Sequence, residues 1–227
     1  MCGRYSITTP PEALRRLFRF NDLPNLQPRY NMAPKQMAPV VRDRDGVRHL
    51  DLLRWGLLPS WARDVSIGAK LINARLETIA EKPSFRDAFK KRRCLVPADG
   101  FYEWRKCGKL KKPHRVCIVN GGAFAFAGLW ERWCDPANQH AVIETFTVAT
   151  TVASSSIAHI HHRMPVILDP SDYNRWLAGD PENLLQQIKP FPDERLYAYE
   201  VSPRVGNVRN DDWGLLEAIG ADDPSLF

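Results

Sequence analysis

Strand-like segments recur in both halves of this 227-residue chain, and no linker, repeat or low-complexity tract separates them. A tight Asp-Gly turn between apolar runs predicts a hairpin over 40–55, and further strand-like runs follow between 95 and 150. Strands from both halves are needed to complete one sheet system. We therefore predict an α+β fold, a single domain over 1–227 with a mixed, barrel-like β-sheet core, peripheral helices and a loose C-terminal tail after about residue 210.

Helix-starting residues and turn signals mark the elements around these strands. The proline-rich stretch 23–39 is predicted to be an irregular loop, and 164–168 and 196–201 are predicted strands. Helices are expected to start near Pro10, Pro83, Ala153, Asp169 and Asp180.

Composition and cysteine usage exclude several classes of protein. Hydrophobic residues make up 44% of the chain and charged residues 26%, as in ordinary soluble proteins, and no apolar run reaches the roughly 20 residues of a membrane span. The five cysteines are odd in number, scattered and without a Cys-x-x-Cys pair, so neither a disulfide framework nor a cysteine zinc site is indicated. We expect a cytoplasmic monomer with no secretory signal, membrane partner, metal or cofactor.

Basic residues are concentrated in two blocks, although the net charge is only +6. One block spans 90–93 and the other 105–115. Either block alone is compatible with a solvated helix end or hairpin tip. Two blocks flanking an aromatic segment favour a polyanionic partner.

Cys2 has a chemistry that no internal cysteine has, provided that Met1 is removed. It would then carry a thiol, with a pKa of about 8.5, and an α-amine, with a pKa of about 8, on the same carbon. Such a 1,2-aminothiol condenses with an aldehyde to an imine, and the sulfur then closes a five-membered thiazolidine. The alternative is that Cys2 is a small hydrophobic residue that happens to lie early in the chain.

Polar side chains stand beside apolar strand residues at Asn73, Glu103 and His161. Each has a structural alternative: Asn73 as a helix cap, Glu103 as a solvent-facing strand residue, and His161 as a loop histidine with satisfied hydrogen bonds. Three histidines lie between 159 and 162, but no second ligand cluster accompanies them, so the sequence does not indicate a metal site.

Together with Cys2 these residues form an ordered series of motifs. The motifs are Met1-Cys2-Gly3-Arg4-Tyr5, Arg29-Tyr30-Asn31-Met32-Ala33-Pro34, Trp55-Gly56-Leu57, Ile72-Asn73-Ala74-Arg75-Leu76-Glu77, Asp99-Gly100-Phe101-Tyr102-Glu103-Trp104, Ile160-His161-His162-Arg163-Met164-Pro165 and Val205-Gly206-Asn207-Val208-Arg209-Asn210. From residue 2 to about 210, this series resembles the SOS response-associated peptidase family, the abasic-site processing proteins.

The resemblance implies that Met1 is lost and that Cys2 couples covalently to abasic sites in single-stranded DNA. It also implies that Asn73, Glu103 and His161 are catalytic with Cys2. His161 is suited to protonate the sugar oxygen, Glu103 to relay protons at the amine, and Asn73 to orient groups by hydrogen bonding. A second histidine, His162, leaves open which histidine works, although the motif register favours His161.

Single-stranded DNA contacts are expected from arginines, which bind phosphate, and from tryptophans, which stack on bases. For Trp55, core packing is an equal alternative. The expected DNA-binding residues are Arg4, Asn31, Pro34, Trp55, Arg75, Trp104, Arg163 and Arg209.

Two rival functions remain open at this point. A cysteine peptidase acting on other proteins would use Cys2 and His161 with Glu103 or Asn73, and would not need the α-amine. A non-catalytic single-strand binder would use the tryptophans and arginines but not Cys2. Self-removal of Met1 is a further possibility that the peptidase label of the family suggests.

Overall fold

The computed structural model describes residues 2–22 and 24–219, and its secondary structure is mainly β. The strands are β1 (Tyr5–Ile7), β2 (Arg29–Met32), β3 (Met37–Arg44), β4 (Val47–Trp55), β5 (Asn73–Arg75), β6 (Arg93–Ala98), β7 (Gly100–Cys107), β8 (Leu110–Ile118), β9 (Phe124–Asp135), β10 (Asn138–Val152), β11 (Arg163–Pro165), β12 (Ile167–Leu168) and β13 (Leu196–Glu200). The α-helices are α1 (Pro11–Phe18), α2 (Arg86–Lys91), α3 (Tyr173–Ala178) and α4 (Pro181–Gln187).

Five strands close into a ring. Strand β4 pairs with β3, β3 with β6, β6 with β9 and β9 with β10, and β10 returns to β4 in parallel. Strands β5 and β11 extend this sheet along β10, while β12 extends it along β9. The parallel β4–β10 and β5–β10 pairs make the sheet mixed, so the predicted mixed, barrel-like core is confirmed.

A second sheet covers one side of this ring. Its strands run antiparallel in the order β13-β8-β7-β1-β2. Phe101 of this sheet meets Phe126 of the ring with ring centroids 6.0 Å apart, and Tyr5 meets Trp55 at 5.2 Å. These four side chains are buried in one continuous hydrophobic cluster, so the two sheets share a core.

The hairpin predicted over 40–55 is present as β3 and β4. Its turn holds Asp45 at φ 54° and Gly46 at φ 80°, the left-handed conformations that a tight Asp-Gly turn adopts. Helices α1, α2, α3 and α4 also follow prolines or acidic caps close to the predicted positions.

Three predicted elements differ from the structure. The stretch 23–39 is not wholly irregular, because β2 pairs with β1 and β3 begins at Met37. Residues 153–160 form no helix, because 153–154 have no regular structure and 155–160 form turns. The strand predicted over 164–168 is split at Val166, whose N–H donates to the Ala149 carbonyl, so β11 continues along β10 and β12 along β9.

No helix among the described residues is long and apolar enough to cross a membrane. Of the loose tail predicted after about residue 210, residues 211–219 are described and include a short 3-10 helix at Trp213–Leu215, whereas 220 onward lies outside the described residues, as does Met1.

Candidate functional site

Cys2 is fixed three residues ahead of β1. Its side chain is fully buried and its Sγ lies 3.7 Å from the Arg4 carbonyl oxygen. The Asn73 side-chain amide donates a 2.8 Å hydrogen bond to the Cys2 carbonyl. Asn73 opens β5, which runs parallel to β10, so it is a strand residue and not a helix cap. The amide therefore holds the beginning of the chain against the closed ring of strands.

The side-chain carbonyl oxygen of Asn73, Oδ1, lacks a hydrogen-bond donor among the described residues. Oδ1 is buried and accepts no hydrogen bond within the described part of the chain. A buried acceptor without a donor costs free energy unless another group supplies one. The side-chain N–H of Asn73 thus binds the Cys2 carbonyl, while its Oδ1 is an acceptor next to Cys2 without a donor from the described residues.

Glu103 lies on β7 with 4% of its surface exposed. Burial raises the pKa of its carboxyl to about 7, although the positive charge of the N-terminal amine opposes the rise. Burial, and then the charge of Glu103, raises the pKa of the Cys2 thiol far above its usual value. Glu103 is therefore a buried acid that exchanges its proton near neutral pH, close to a thiol that stays protonated.

His161 precedes β11 and is half-buried. Its Nδ1 lies 3.0 Å from the Arg163 backbone nitrogen and 3.1 Å from the Arg163 carbonyl oxygen, which fixes the ring. Burial lowers the pKa of His161, and the charge of the N-terminal amine lowers it further. The ring of His162 stacks on it with centroids 4.4 Å apart, but His162 is exposed. His161 is thus the more enclosed and the more firmly held of the two rings.

Electrostatic contacts join the four predicted catalytic residues. Asn73 binds Cys2 directly and Glu103 acts on the Cys2 thiol, while the charge of the amine on residue 1, one position ahead of Cys2, acts on both Glu103 and His161. Residues of β5, of β7 and of the segment before β11 therefore lie around the start of the chain.

Two of the predicted DNA-binding side chains are completely buried in this structure. Trp55 has no exposed surface, stacks on Phe146 and donates its ring N–H to the Ile72 carbonyl at 2.9 Å, so it belongs to the core. Asn31 is equally buried, and its amide donates to the carbonyls of Val205, Asn207 and Asn210. Asn31 organises a neighbouring loop instead of lining a cleft.

Arg163 is also committed within the protein. Its guanidinium makes two bonds to the Glu77 carboxylate, at 2.6 and 3.0 Å, and one of 2.6 Å to the Thr150 carbonyl. With only 8% of its surface exposed, it is not an open phosphate ligand. Its role in this conformation is to anchor the segment that carries His161.

Arg4 is neither fully buried nor free of bonds within the protein. It is partly exposed, and its guanidinium binds the Val205 and Gly206 carbonyls and the Asn31 side chain. The segment 205–211 is held from the other side by Asp211, which accepts bonds from Arg29 and from the Tyr30 and Asn31 backbone. This clasp, formed by Arg4, Asn31 and 205–211, fixes the N-terminal strands.

Other predicted DNA-binding residues remain accessible. Arg75 and Arg209 are exposed, and Trp104 and Pro34 are partly exposed. The positive charge of Lys106 lowers the pKa of His161, and that of Arg75 lowers the pKa of His162. Cationic side chains therefore lie close to the histidines, as an anionic ligand would require.

The two basic blocks differ in exposure. Lys90 and Lys91 are exposed, whereas Arg93 is buried and donates to the Trp176, Phe89 and Gly179 carbonyls. In the β7–β8 hairpin the tip is exposed, but the block ends in two buried residues, His114 and Arg115.

Two acids that the sequence analysis left without a role hold the framework of the site. Glu77 anchors Arg163, as described above. Asp99 accepts hydrogen bonds from Ser6, Arg115 and both Thr8 and Thr9, so it fixes the chain beyond β1. The sequence did contain a signal for both acids, because each lies in a motif that also carries a predicted site residue.

No group of three or more histidine, cysteine or acidic side chains suited to hold a metal ion occurs among residues 2–22 and 24–219.

The fold and this cluster define a β-rich protein that holds a cysteine at the start of the chain among an acid, a histidine and an amide. A family model described as SOS response associated peptidase (SRAP) matches residues 1–208. The chain belongs to the SRAP family.

Similar proteins extend over the same length. Abasic site processing protein YoqW of Bacillus subtilis (strain 168) is 38% identical over 225 residues, which cover 96% of this chain and all of the relative. Abasic site processing protein HMCES of Xenopus tropicalis is 31% identical, covering 96% of this chain and 78% of its own. A crystal structure of a Bacteroides thetaiotaomicron protein has a TM-score of 0.87 with 28% identity, covering 96% of this chain and 100% of that one.

Proposed function

We propose that this protein processes abasic sites by linking itself covalently to them in single-stranded DNA, through the α-amine and thiol of Cys2 after removal of Met1. The relatives named abasic site processing proteins support the substrate class. The observation that carries the proposal is the convergence of Asn73, Glu103 and His161 on Cys2. Their chemistry matches what the condensation of an aminothiol with an aldehyde needs.

The reaction begins with the sugar. An abasic deoxyribose equilibrates with its ring-opened aldehyde, and His161 protonates the ring oxygen as it opens. The α-amine of Cys2 adds to the aldehyde carbon, and loss of one water gives the imine. Glu103, whose pKa of about 7 lets it both accept and donate near neutral pH, moves protons at the amine. The acceptor Oδ1 of Asn73 orients the amine or a sugar hydroxyl.

The protonation state of the Cys2 thiol sets the order of the two bond-forming steps. Since burial keeps the Cys2 thiol protonated, the amine attacks first and the sulfur second. The thiol adds across the C=N bond, forming a C–S bond while its proton ends on the ring nitrogen. The imine is consumed, so β-elimination of the 3′ phosphate is suppressed and the strand stays intact. The protein contributes mainly position, since aminothiols already react with aldehydes in solution.

The deciding experiment uses untagged protein whose mass shows that Met1 is absent. It is incubated with a single-stranded oligonucleotide that carries one abasic site and is run on a denaturing gel. We expect an adduct that requires both the lesion and a free N-terminus, with undamaged DNA and a protein extended ahead of Cys2 as controls. No adduct from trimmed protein would refute the proposal and leave a peptidase or a plain DNA binder.

Arg75 supplies a separate prediction about DNA binding. It is exposed and its charge reaches the neighbouring His162, so it is placed to contact a phosphate. We expect Arg75→Ala to weaken binding to undamaged single strands and to make the slope of log K against log salt shallower by about 0.7, the value for one lost contact. Fluorescence anisotropy across a salt series measures this. Arg44→Ala, which removes an arginine paired with Asp51, is the control, and an equal slope in both variants would contradict the contact.

A further inference from the structure

The tip of the β7–β8 hairpin concentrates positive charge at the surface. Its exposed cations are Arg105, Lys106, Lys109, Lys111 and Lys112, and no acidic residue lies between positions 105 and 112. Of these five, only Lys112 is ion-paired within the part of the chain that the structure describes, with Glu200 at 3.0 Å. The protein itself therefore leaves most of this charge without a counter-charge.

The tip extends beyond the rest of the second sheet. Strand β1 pairs with β7 only at Gly100 and Phe101, and β13 pairs with β8 only over the stretch that begins at His114. Among the described strands, residues 105–112 therefore pair with each other alone. They form a two-stranded ribbon whose side chains are open to solvent, so a ligand can reach them.

The strand register opposes like charges across this ribbon. Arg105 faces Lys112, and Lys106 faces Lys111. Directly opposed side chains have Cβ atoms about 4.5–5.5 Å apart, and like charges at such positions destabilise the pair. An isolated pair of strands is marginally stable to begin with. A partner with closely spaced negative charges would turn this repulsion into attraction, and a nucleic acid backbone has such charges.

A tight turn holds the cations in place. Cys107 faces Leu110, so the turn consists of Gly108 and Lys109, with Gly108 at φ 60°. Glycine at the first central position is typical of the two-residue turns that match the twist of a hairpin. Because the turn and the register fix the two strands, the backbone loses little conformational freedom when a ligand binds.

The ribbon begins at the candidate site. Glu103 lies on β7 two residues before Arg105, so the two side chains share a face. Trp104 is partly exposed and shares the opposite face with Lys106. The charge of Lys106 reaches His161, whose pKa it lowers. A DNA strand that leaves the site along β7 would therefore meet the cations of the ribbon next.

We propose that residues 105–112 form an arm that binds the backbone phosphates of single-stranded DNA on one side of the abasic site. This inference rests on the proposed function, which brings the lesion to Cys2. Lys106 and Lys111 are its main contacts, and Arg105 adds a third on the other face of the ribbon. The arm holds the strand and takes no part in the condensation. It makes the protein depend on DNA continuing past the lesion on that side.

The first test measures how binding to an undamaged single strand depends on salt. In the double variant Lys106→Gln with Lys111→Gln, we expect the slope of log K against log salt to be shallower by about 1.4, twice the value of about 0.7 for one lost contact. Affinity at low salt should fall about tenfold, within the range for two exposed ion pairs. Arginine at both positions keeps the charge and should keep the wild-type slope.

The control removes the same charge elsewhere. Arg15→Gln with Arg16→Gln changes two exposed arginines of α1, which follows β1 on the side away from Cys2. It should keep the wild-type slope and affinity. The urea midpoint of the lysine variant should not fall, because the substitutions remove opposed like charges. Equal slopes in the lysine variant and this control would overturn the arm and leave a solvated hairpin tip.

The second test asks whether the arm serves one side of the lesion. Two oligonucleotides carry a tetrahydrofuran analogue of the abasic site, which has no aldehyde, at the 5′ end or at the 3′ end. We expect the lysine substitutions to weaken binding to only one of these strands, the one whose remaining DNA lies on the arm. Equal weakening of both strands, or of neither, would overturn the proposal.

Both tests measure binding without reaction, so they are independent of the covalent chemistry. If the wild type forms no adduct with a true abasic site, the proposed function fails. The salt slopes and the two analogue strands would still decide whether residues 105–112 hold DNA.

Discussion

Cys2→Ala will form no denaturant-resistant adduct with abasic single-stranded DNA, yet it will nick the strand more than the wild type does. Alanine keeps the α-amine after Met1 is removed, so the imine still forms, but no sulfur is present to close the ring. The persisting imine permits β-elimination of the 3′ phosphate. Denaturing gels resolve the nicked strand, and borohydride reduction should trap the imine as a covalent product in this variant.

The matched control for this prediction keeps the Cys2 thiol but has the Cys2 nitrogen tied up in a peptide bond, so Cys2 has no free α-amine. A protein with residues added ahead of Cys2 should give neither adduct, nor nick, nor borohydride-trapped product. If Cys2→Ala still yields a stable adduct without reduction, the thiol is not the group that closes the product. If the extended protein forms adduct, the α-amine has no part in it.

Asp99→Asn will cost about 3–5 kcal/mol of unfolding free energy, the loss seen when one partner of a buried ion pair is removed. The carboxylate faces Arg115 at 3.2 Å, and both side chains are 10% exposed or less. An asparagine turns one acceptor into a donor facing the N–H and hydroxyl groups of Thr8 and Thr9. Urea denaturation measures the change.

Ser6→Ala provides the comparison, because it removes the 2.6 Å hydrogen bond to Asp99 and the 3.1 Å bond accepted from Arg115 but leaves the charge pair itself intact. It should cost about 1–2 kcal/mol. Equal losses in the two variants would show that the charge pair stabilises nothing. Asp99→Asn should also slow adduct formation at temperatures where the protein is folded, since β1 positions Cys2.

Local chemistry made part of the fold predictable. The hairpin of β3 and β4 follows from an Asp-Gly turn between apolar runs, and α1 follows from prolines before helically spaced leucines. Strand β2 was missed because its identity comes from pairing with β1, whose residues lie far away in sequence. Residues 153–160 look helical locally, but the Ala153 N–H donates to the His162 carbonyl and turns the chain back along β10.

Motif and chemistry together single out Cys2 and His161 as candidate site residues from the sequence. Trp55 and Asn31 show what the sequence alone does not reveal. Their motifs marked them as special, but only the folded chain shows that one packs against Phe146 and the other binds loop carbonyls.

The clasp of Arg4 and Asn31 by 205–211 sets the order in which the protein can mature. A ribosome delivers the first strands long before it delivers Asp211, whose carboxylate binds the Arg29 and Tyr30 end of β2. These bonds therefore cannot hold β1 and β2 in place on a growing chain. They form only when the last tenth of the polypeptide has emerged.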